Sequence, residues 1–182
     1  MAKIGLEGFR YALLTAEDPV TYDTPVVIGK AVSAKLATET NSAELYADNA
    51  LVESDTTFSK GTLTLETANL PQAVTAALLG HTVTNGAITR KTTDIAPYVG
   101  VGRVITELVN GAYLYTAEFV CKAKFKIPES DEKTKGASVE FATTTIEADV
   151  SSLPNTEWNK SASFSDKAAA LAFLDDCFGV ES

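Results

Sequence analysis

Between Tyr98 and Ile127 lie two long β-patterned runs joined at Asn110-Gly111, the second ending in a strict period of two from Cys121 to Ile127. That period marks a strand whose two faces meet different surroundings. Asn-Gly supplies the positive φ that both central residues of a type I′ turn require. The stretch therefore predicts a long hairpin, and the turn fixes its register. Leu108 should lie opposite Tyr113, Thr106 opposite Tyr115 and Val104 opposite Ala117, forming an apolar and aromatic face. Arg103, Glu107, Leu114 and Glu118 fall on the other, mixed and charged. Farther along, Cys121, Ala123, Phe125 and Ile127 alternate with Lys122, Lys124 and Lys126, which places Cys121 on the apolar face. Strands of about a dozen residues span roughly 40 Å, about twice the usual length. Such a ribbon suits a wall or a span better than a pocket.

The same reading gives the remaining elements. Residues 4–15 alternate as a strand, with Phe9, Tyr11 and Leu13 on one side and Arg10 on the other; Pro25 limits the next segment to an edge or a strand start. Val32, Ala34 and Leu36 against Ser33 and Lys35 give a second strand, and residues 61–67 a third. Leu70, Val74, Ala77 and Leu78 fall at helical spacing, with Asn69 as a possible cap, Pro71 in the first turn and Gly80 as the stop. Thr84-Asn85-Gly86 is a turn, and Lys91, Thr92 and Asp94 read as exposed linker. Residues 128–137 read as a charged, mobile connection. In the strand after it, Val139 and Phe141 fall on one face and Ile146, Ala148 and Val150 on the other, so a bulge is expected at Thr143 to Thr145. A last short strand lies near Trp158. A C-terminal helix completes the set, with Ser165 at its N-cap, Asp166 in its first turn, a stripe of Ala169, Phe173, Leu174 and Cys177, and Gly179 as its stop. These elements predict a mainly β domain, an antiparallel β-sandwich or partly closed barrel of seven or eight strands. One helix flanks it and a short helix closes its C-terminus.

Residues 38–61 depart from this pattern. They hold five carboxylates (Glu39, Glu44, Asp48, Glu53, Asp55) among Leu45, Tyr46, Leu51, Val52 and Phe58. That is too apolar for an ordinary surface loop and too charged for a core strand. One reading is a polar excursion covering its own domain; the other is an extended hairpin or loop completed by a neighbouring subunit. A cation site at Asp48 and Asn49 lacks the dense oxygen-ligand spacing of a calcium loop.

Composition narrows the class. A chain of 182 residues, 45% hydrophobic, suffices for one domain with a real core. A net charge of −9 opposes non-specific phosphate binding. Two cysteines make no disulfide framework, the N-terminus has no signal-peptide pattern, and no apolar run reaches the ~18–20 residues of a membrane helix. Chemistry is sparse: there is one histidine and no G-x-S-x-G, CxxC or HExxH. His81 reads as structural at a helix end, Cys121 and Cys177 as buried hydrophobes, and Asp175 and Asp176 as solvent-facing. Gly100 and Gly102 lie inside a strand pattern, where they permit a kink or close approach rather than nucleotide binding. No catalytic, metal or cofactor site is expected, and the chain is not expected to be an enzyme.

Five blocks in order, MAKIGLEGFRYALLT, NSAELYADNALVESD, PYVGVGRVITELVNG, KGASVEF and AAALAFLDDCFG, resemble the major tail protein (tail tube protein) of long, non-contractile-tailed bacteriophages. The resemblance covers essentially the whole chain. It implies a single tail tube domain over residues 1–182, assembled as hexameric rings that stack into a tube. Such a tube houses a tape measure protein, meets tail terminator and distal tail proteins, and conducts DNA at ejection without binding it specifically. The implied location is the virion tail, assembled in the host bacterial cytoplasm. Some members carry an added immunoglobulin-like domain, which a chain ending at Ser182 is expected to lack. Under this resemblance Leu45, Tyr46, Asp48, Asn49, Leu51, Val52 and Phe58 are candidate inter-subunit contacts. Glu107, Glu118, Glu147 and Asp149 are candidate lumen carboxylates, whose like charge would keep phosphates from adhering. A contractile injection or type VI-like tube is the nearest alternative, and a β-sandwich ligand-binding module a more distant one.

Overall fold

The computed structural model describes residues 2–47, 50–128 and 143–180. The chain opens with β1 (Ala2–Glu17), the short edge strands β2 (Val20–Tyr22) and β3 (Val26–Val27), and the long pair β4 (Ala31–Ala47) and β5 (Ala50–Thr67). Helix α1 (Gln72–Leu79) and the small hairpin β6 (Thr82–Thr84) and β7 (Ala87–Thr89) lead to β8 (Tyr98–Val109) and β9 (Ala112–Phe125). The described chain ends with β10 (Thr144–Val150), β11 (Asn159–Phe164) and α2 (Lys167–Phe178). The expected count of seven or eight strands is too low because β2, β3, β6 and β7 are too short to show a period. The charged connection expected at 128–137 falls outside the described residues except for Pro128, as do Val139 and Phe141.

Among the described residues the fold is mainly β, antiparallel and sandwich-like, with two helices and no closed barrel. One path runs β2-β1-β8-β9-β10-β5-β4, while β3 pairs with β1 and β11 with β9. The central hairpin has the register its turn dictates: Leu108 faces Tyr113, Thr106 faces Tyr115, Val104 faces Ala117 and Arg103 faces Glu118. Asn110 and Gly111 take φ of 50° and 81°, as a type I′ turn needs.

The sheet curls around one core and carries a second on its back. Phe9, Tyr11, Leu63, Leu65, Val99, Val101, Phe125 and Ile146 fill the concave side, which α1 closes with Val74, Leu78 and Leu79. On the convex side Ala12, Val104, Ala117, Phe119 and Cys121 pack against Ala170, Leu174 and Phe178 of α2. Of the expected stripe on α2, Leu174 is fully buried and Phe173 and Cys177 are partly buried against the same core, while Ala170 and Phe178 are the other fully buried positions. Asp166, not Ser165, takes the N-cap position, without a side-chain cap bond. Pro71 likewise stands at the N-cap of α1 without one. Two ion pairs hold α2 down, Arg10 to Asp175 at 2.7 Å and Lys167 to Glu7 at 2.6 Å. Asp175 thus serves the β1–α2 contact rather than facing solvent alone.

A β-bulge separates Cys121 from Ala123 and Phe125, which simple alternation places on one face. The β8–β9 register slips between Val99 (opposite Ala123) and Val101 (opposite Val120). An extra residue reverses the parity beyond it. Cys121 therefore lies in the convex core and Ala123 and Phe125 in the concave one. At the same place a Cβ on Gly100 would sit 2.8 Å from both Phe119 and Tyr22, and one on Gly102 would sit 3.2 Å from Leu174 and Phe178. These glycines admit the edge-to-face cluster of Tyr22, Phe119 and Phe178.

Candidate interaction surface

Two features stand out from the packed body. The first is a ribbon. β5 has β10 as its second neighbour only over residues 61–67. Beyond that point β4 and β5 pair with each other alone, from Glu39 opposite Lys60 to Ala47 opposite Ala50. The nine residues from 39 to 47 span about 30 Å at ~3.3 Å per residue. The 38–61 segment is thus the outer half of a long hairpin. Its foot is fixed by Phe58, whose ring stacks on Trp158 with centroids 4.2 Å apart and planes 1° from parallel. The backbone at Leu45, Tyr46, Leu51 and Val52 belongs to the paired strands, whereas Asp48 and Asn49 lie outside the described residues. A two-stranded ribbon alone is at best marginal in water.

The second feature is a cleft of about 630 Å³ where β1 and β4 come alongside without a hydrogen-bonded ladder. Its floor is Arg103, Ile105 and Glu118; its walls include Lys3, Ile4, Val32 and Lys35. Arg103 Nε donates to Glu118 at 2.7 Å, Arg103 Nη2 also reaches that carboxylate, and Asn159 Nδ2 donates to its other oxygen at 2.9 Å. Three cations therefore meet one engaged carboxylate, in a chain whose net charge is −9. Ile4 and Val32 are 52% and 48% exposed on the walls. Both walls are strand edges. Among the described residues β4 ends the sheet, and β1 takes its outer partners only at residues 10–11 and 14–17.

The four acidic candidates do not share a surface. Glu107 and Glu118 lie on the side of Arg103, toward the concave face. Glu147 and Asp149 alternate with the core residues Ile146, Ala148 and Val150, so they point the other way. Both are exposed, and Asp149 pairs with Lys126 at 2.6 Å, which raises the lysine's pKa.

Sequence reasoning missed two clusters. His81 Nδ1 lies 2.8 Å from Asp94 Oδ2, and Asp94 also accepts the Lys91 backbone N–H. The backbone N–H, then the histidine, lower the carboxyl's pKa. Asp94 is a clasp between the end of α1 and the approach to β8, not exposed linker. The signal lay in the only histidine falling thirteen residues from an aspartate, which spacing alone does not single out. A smaller cavity of about 300 Å³ is lined by Tyr22, Phe119, Cys121, Lys160, Cys177 and Phe178. Burial raises the Cys121 thiol to about 11 and raises Cys177 and Tyr22 as well. Groups so shifted hold their protons at neutral pH and make poor nucleophiles. Among the described residues no group of three or more His, Cys, Asp or Glu is placed to hold a metal ion. No described helix is long and apolar enough to cross a membrane.

No family model matches the chain, and no curated protein matches it. Among solved structures, the anti-feeding prophage cap (AFP tube terminating cap) is similar over 86% of this chain and 88% of its own, at 13% identity and a TM-score of 0.45. A likeness at that level carries no conclusion about function.

Proposed function

We propose that the chain is a structural tail tube subunit, in which hexameric rings stack into a conduit for DNA. The observation that carries the reading is the pairing of unfinished edges with an unsupported ribbon. Among the described residues the chain builds two full cores yet leaves β4 unpaired along its outer edge and extends about 30 Å of two-stranded hairpin beyond its sheet. Exposed edges of that length are a liability in a monomer and a means of assembly in a repeating structure. The ordered sequence blocks that resemble long-tailed phage tail tube proteins support the same reading. On it the chain is a structural component and not an enzyme. Its partners are other copies of itself, a tape measure protein in the lumen, and terminator and distal tail proteins at the ends, and it resides in the virion tail after assembly in the host cytoplasm. Glu147 and Asp149, exposed together on one face, are the pair best suited to a DNA-repelling lumen.

The test is negative-stain electron microscopy of the purified chain at rising concentration, with sizing chromatography alongside. Rings or hollow tubes are expected. A monomer at every concentration, with and without a tape measure protein, overturns the proposal. The cleft favours a second reading, a β-sandwich module that binds an extended ligand, and that outcome would direct work to it.

A further inference from the structure

We propose that the cleft between β1 and β4 receives the outer β4–β5 ribbon of a second copy of the chain. The inference rests on the tube-subunit reading and adds the surface that takes the ribbon.

Three properties of the cleft select its occupant. First, its walls are two strand edges with no strand between them among the described residues. An extended backbone satisfies such edges by adding to them. Second, its charge is opposite to that of the chain: Lys3, Lys35 and Arg103 surround a Glu118 already bonded to Arg103 and Asn159. An acidic strand is attracted there and a basic one repelled. Third, Ile4 and Val32 leave apolar wall exposed, so the occupant must carry large apolar side chains among its carboxylates. The outer ribbon answers all three. It is extended by its own pairing. Glu39, Glu44, Glu53 and Asp55 are balanced only by Lys60, and Leu45, Tyr46, Leu51 and Val52 are interspersed among them. Lys60 itself is spent on Glu39, 3.3 Å away at the ribbon's foot, so the outward part is the more acidic.

The same contact resolves the ribbon's own instability. Two strands alone are at best marginal in water; a third and fourth edge from a neighbour make a continuous sheet. The ribbon does not bend back into its own cleft, because β4 is at once a wall of that cleft and a strand of the ribbon.

The test uses the full chain. Equal amounts of 14N- and 15N-labelled protein are mixed under assembling conditions and joined with a zero-length carbodiimide, which links amines to adjacent carboxylates. Mixed-isotope cross-links from Lys3 or Lys35 to Glu44, Glu53 or Asp55 are expected. In parallel, Lys3→Glu with Lys35→Glu, and separately Glu44→Lys with Glu53→Lys, should each weaken self-association about tenfold or more at low salt, as repulsion replaces attraction. The chain carrying all four changes should recover to within about threefold of wild type, since complementarity is restored. Lys3 and Lys35 are exposed, and unchanged near-ultraviolet circular dichroism certifies each fold. Assembly without those cross-links, or a fourfold variant as weak as the two pairs, overturns the cleft assignment and leaves the tube reading standing. No self-association by the wild type at any concentration overturns the tube reading, and the slot with it.

Discussion

Replacing Glu118 with alanine should cost about 3 kcal/mol, because it strands a buried cation. The Arg103 side chain is 8% exposed and that of Glu118 17%. Between them the guanidinium donates from Nε at 2.7 Å and from Nη2, and Asn159 completes the carboxylate at 2.9 Å. Breaking a buried pair by removing one partner costs ~3–5 kcal/mol, since the remaining charge keeps its desolvation penalty without its compensation. The low end applies because the pair opens onto the cleft, where water can enter. For a chain of this length ~3 kcal/mol corresponds to a fall in Tm of about 6–12 °C. Removing both charges together, as Arg103→Met with Glu118→Leu, should cost no more than ~1 kcal/mol, since neither desolvation penalty remains. Urea unfolding followed by Trp158 fluorescence and far-ultraviolet circular dichroism gives the free energies. A cost below ~1 kcal/mol for Glu118→Ala refutes the reasoning, because it means the guanidinium is adequately solvated. A double variant as unstable as the single refutes it differently: packing, not charge, is then what Glu118 supplies.

Gly100→Ala should destabilise by ~1–3 kcal/mol through overpacking, since its Cβ would meet Phe119 and Tyr22 at 2.8 Å; a neutral effect in the same urea assay defeats that account. Glu66 accepts hydrogen bonds from Thr143 and Ser33, which lower its pKa below the ordinary 4.5. A depressed folded pKa contributes stability above the unfolded value, and that stability is lost as pH falls through the folded one. The advantage of wild type over Glu66→Gln should therefore be full at about pH 6 and shrink toward about pH 3; equal gaps at both pH values contradict it. Burial that lifts Cys121 to about 11 should keep it from iodoacetamide near neutral pH in the folded chain and release it in urea, as read by mass spectrometry of the intact protein. Rapid labelling of folded protein would show that the convex core opens there.

The parts that were legible from sequence are those governed by local stereochemistry. Asn110-Gly111 admits few turns, so register followed for the whole hairpin, down to Arg103 opposite Glu118. Gly80 and Gly179 stop their helices in the left-handed conformation, at φ of 72° and 75°, as their positions after apolar stripes implied. What was illegible depends on tertiary contact. The split of Cys121 from Ala123 and Phe125 turned on a bulge that lies beside the Tyr22–Phe119–Phe178 cluster, assembled from three distant segments. On α2 the convex core buries Ala170 and Phe178 beside the expected Leu174 and leaves Phe173 and Cys177 half-buried, a choice that helical spacing alone does not make. The mixed composition of residues 38–61 announced an unusual element. It did not reveal that β4 and β5 run unbroken from the core into it, because Thr, Ser and Glu there carry no alternation of polarity. Nor did Lys3, Lys35 and Arg103, far apart in sequence, announce a common cleft.

The ribbon and the cleft also determine the kind of assembly that the proposed contact builds. They are different surfaces of one chain, so a contact between them is heterologous: each copy inserts into one neighbour and receives from another. Such a contact does not saturate at a dimer; it closes into a ring when the rotation between copies divides a full turn and otherwise continues as a helix. The two edges are unequal in a way that enforces this direction. β1 is bent by register shifts on either side of residues 5–7, with Gly8 at φ 68°, and is blocked by β3 at Arg10 and Tyr11. Bulges and short covering strands are how proteins prevent edges from pairing with their own kind. Among the described residues the β4 edge carries no such cover along its length. Pairing of two β1 edges is thereby disfavoured, while an acidic ribbon meeting a basic cleft is favoured, and two ribbons repel each other through their carboxylates. Geometry at β1 and charge on the ribbon thus both disfavour the symmetric dimer, which is why rings and filaments are the expected products and a stable two-fold dimer in sedimentation would contradict the arrangement.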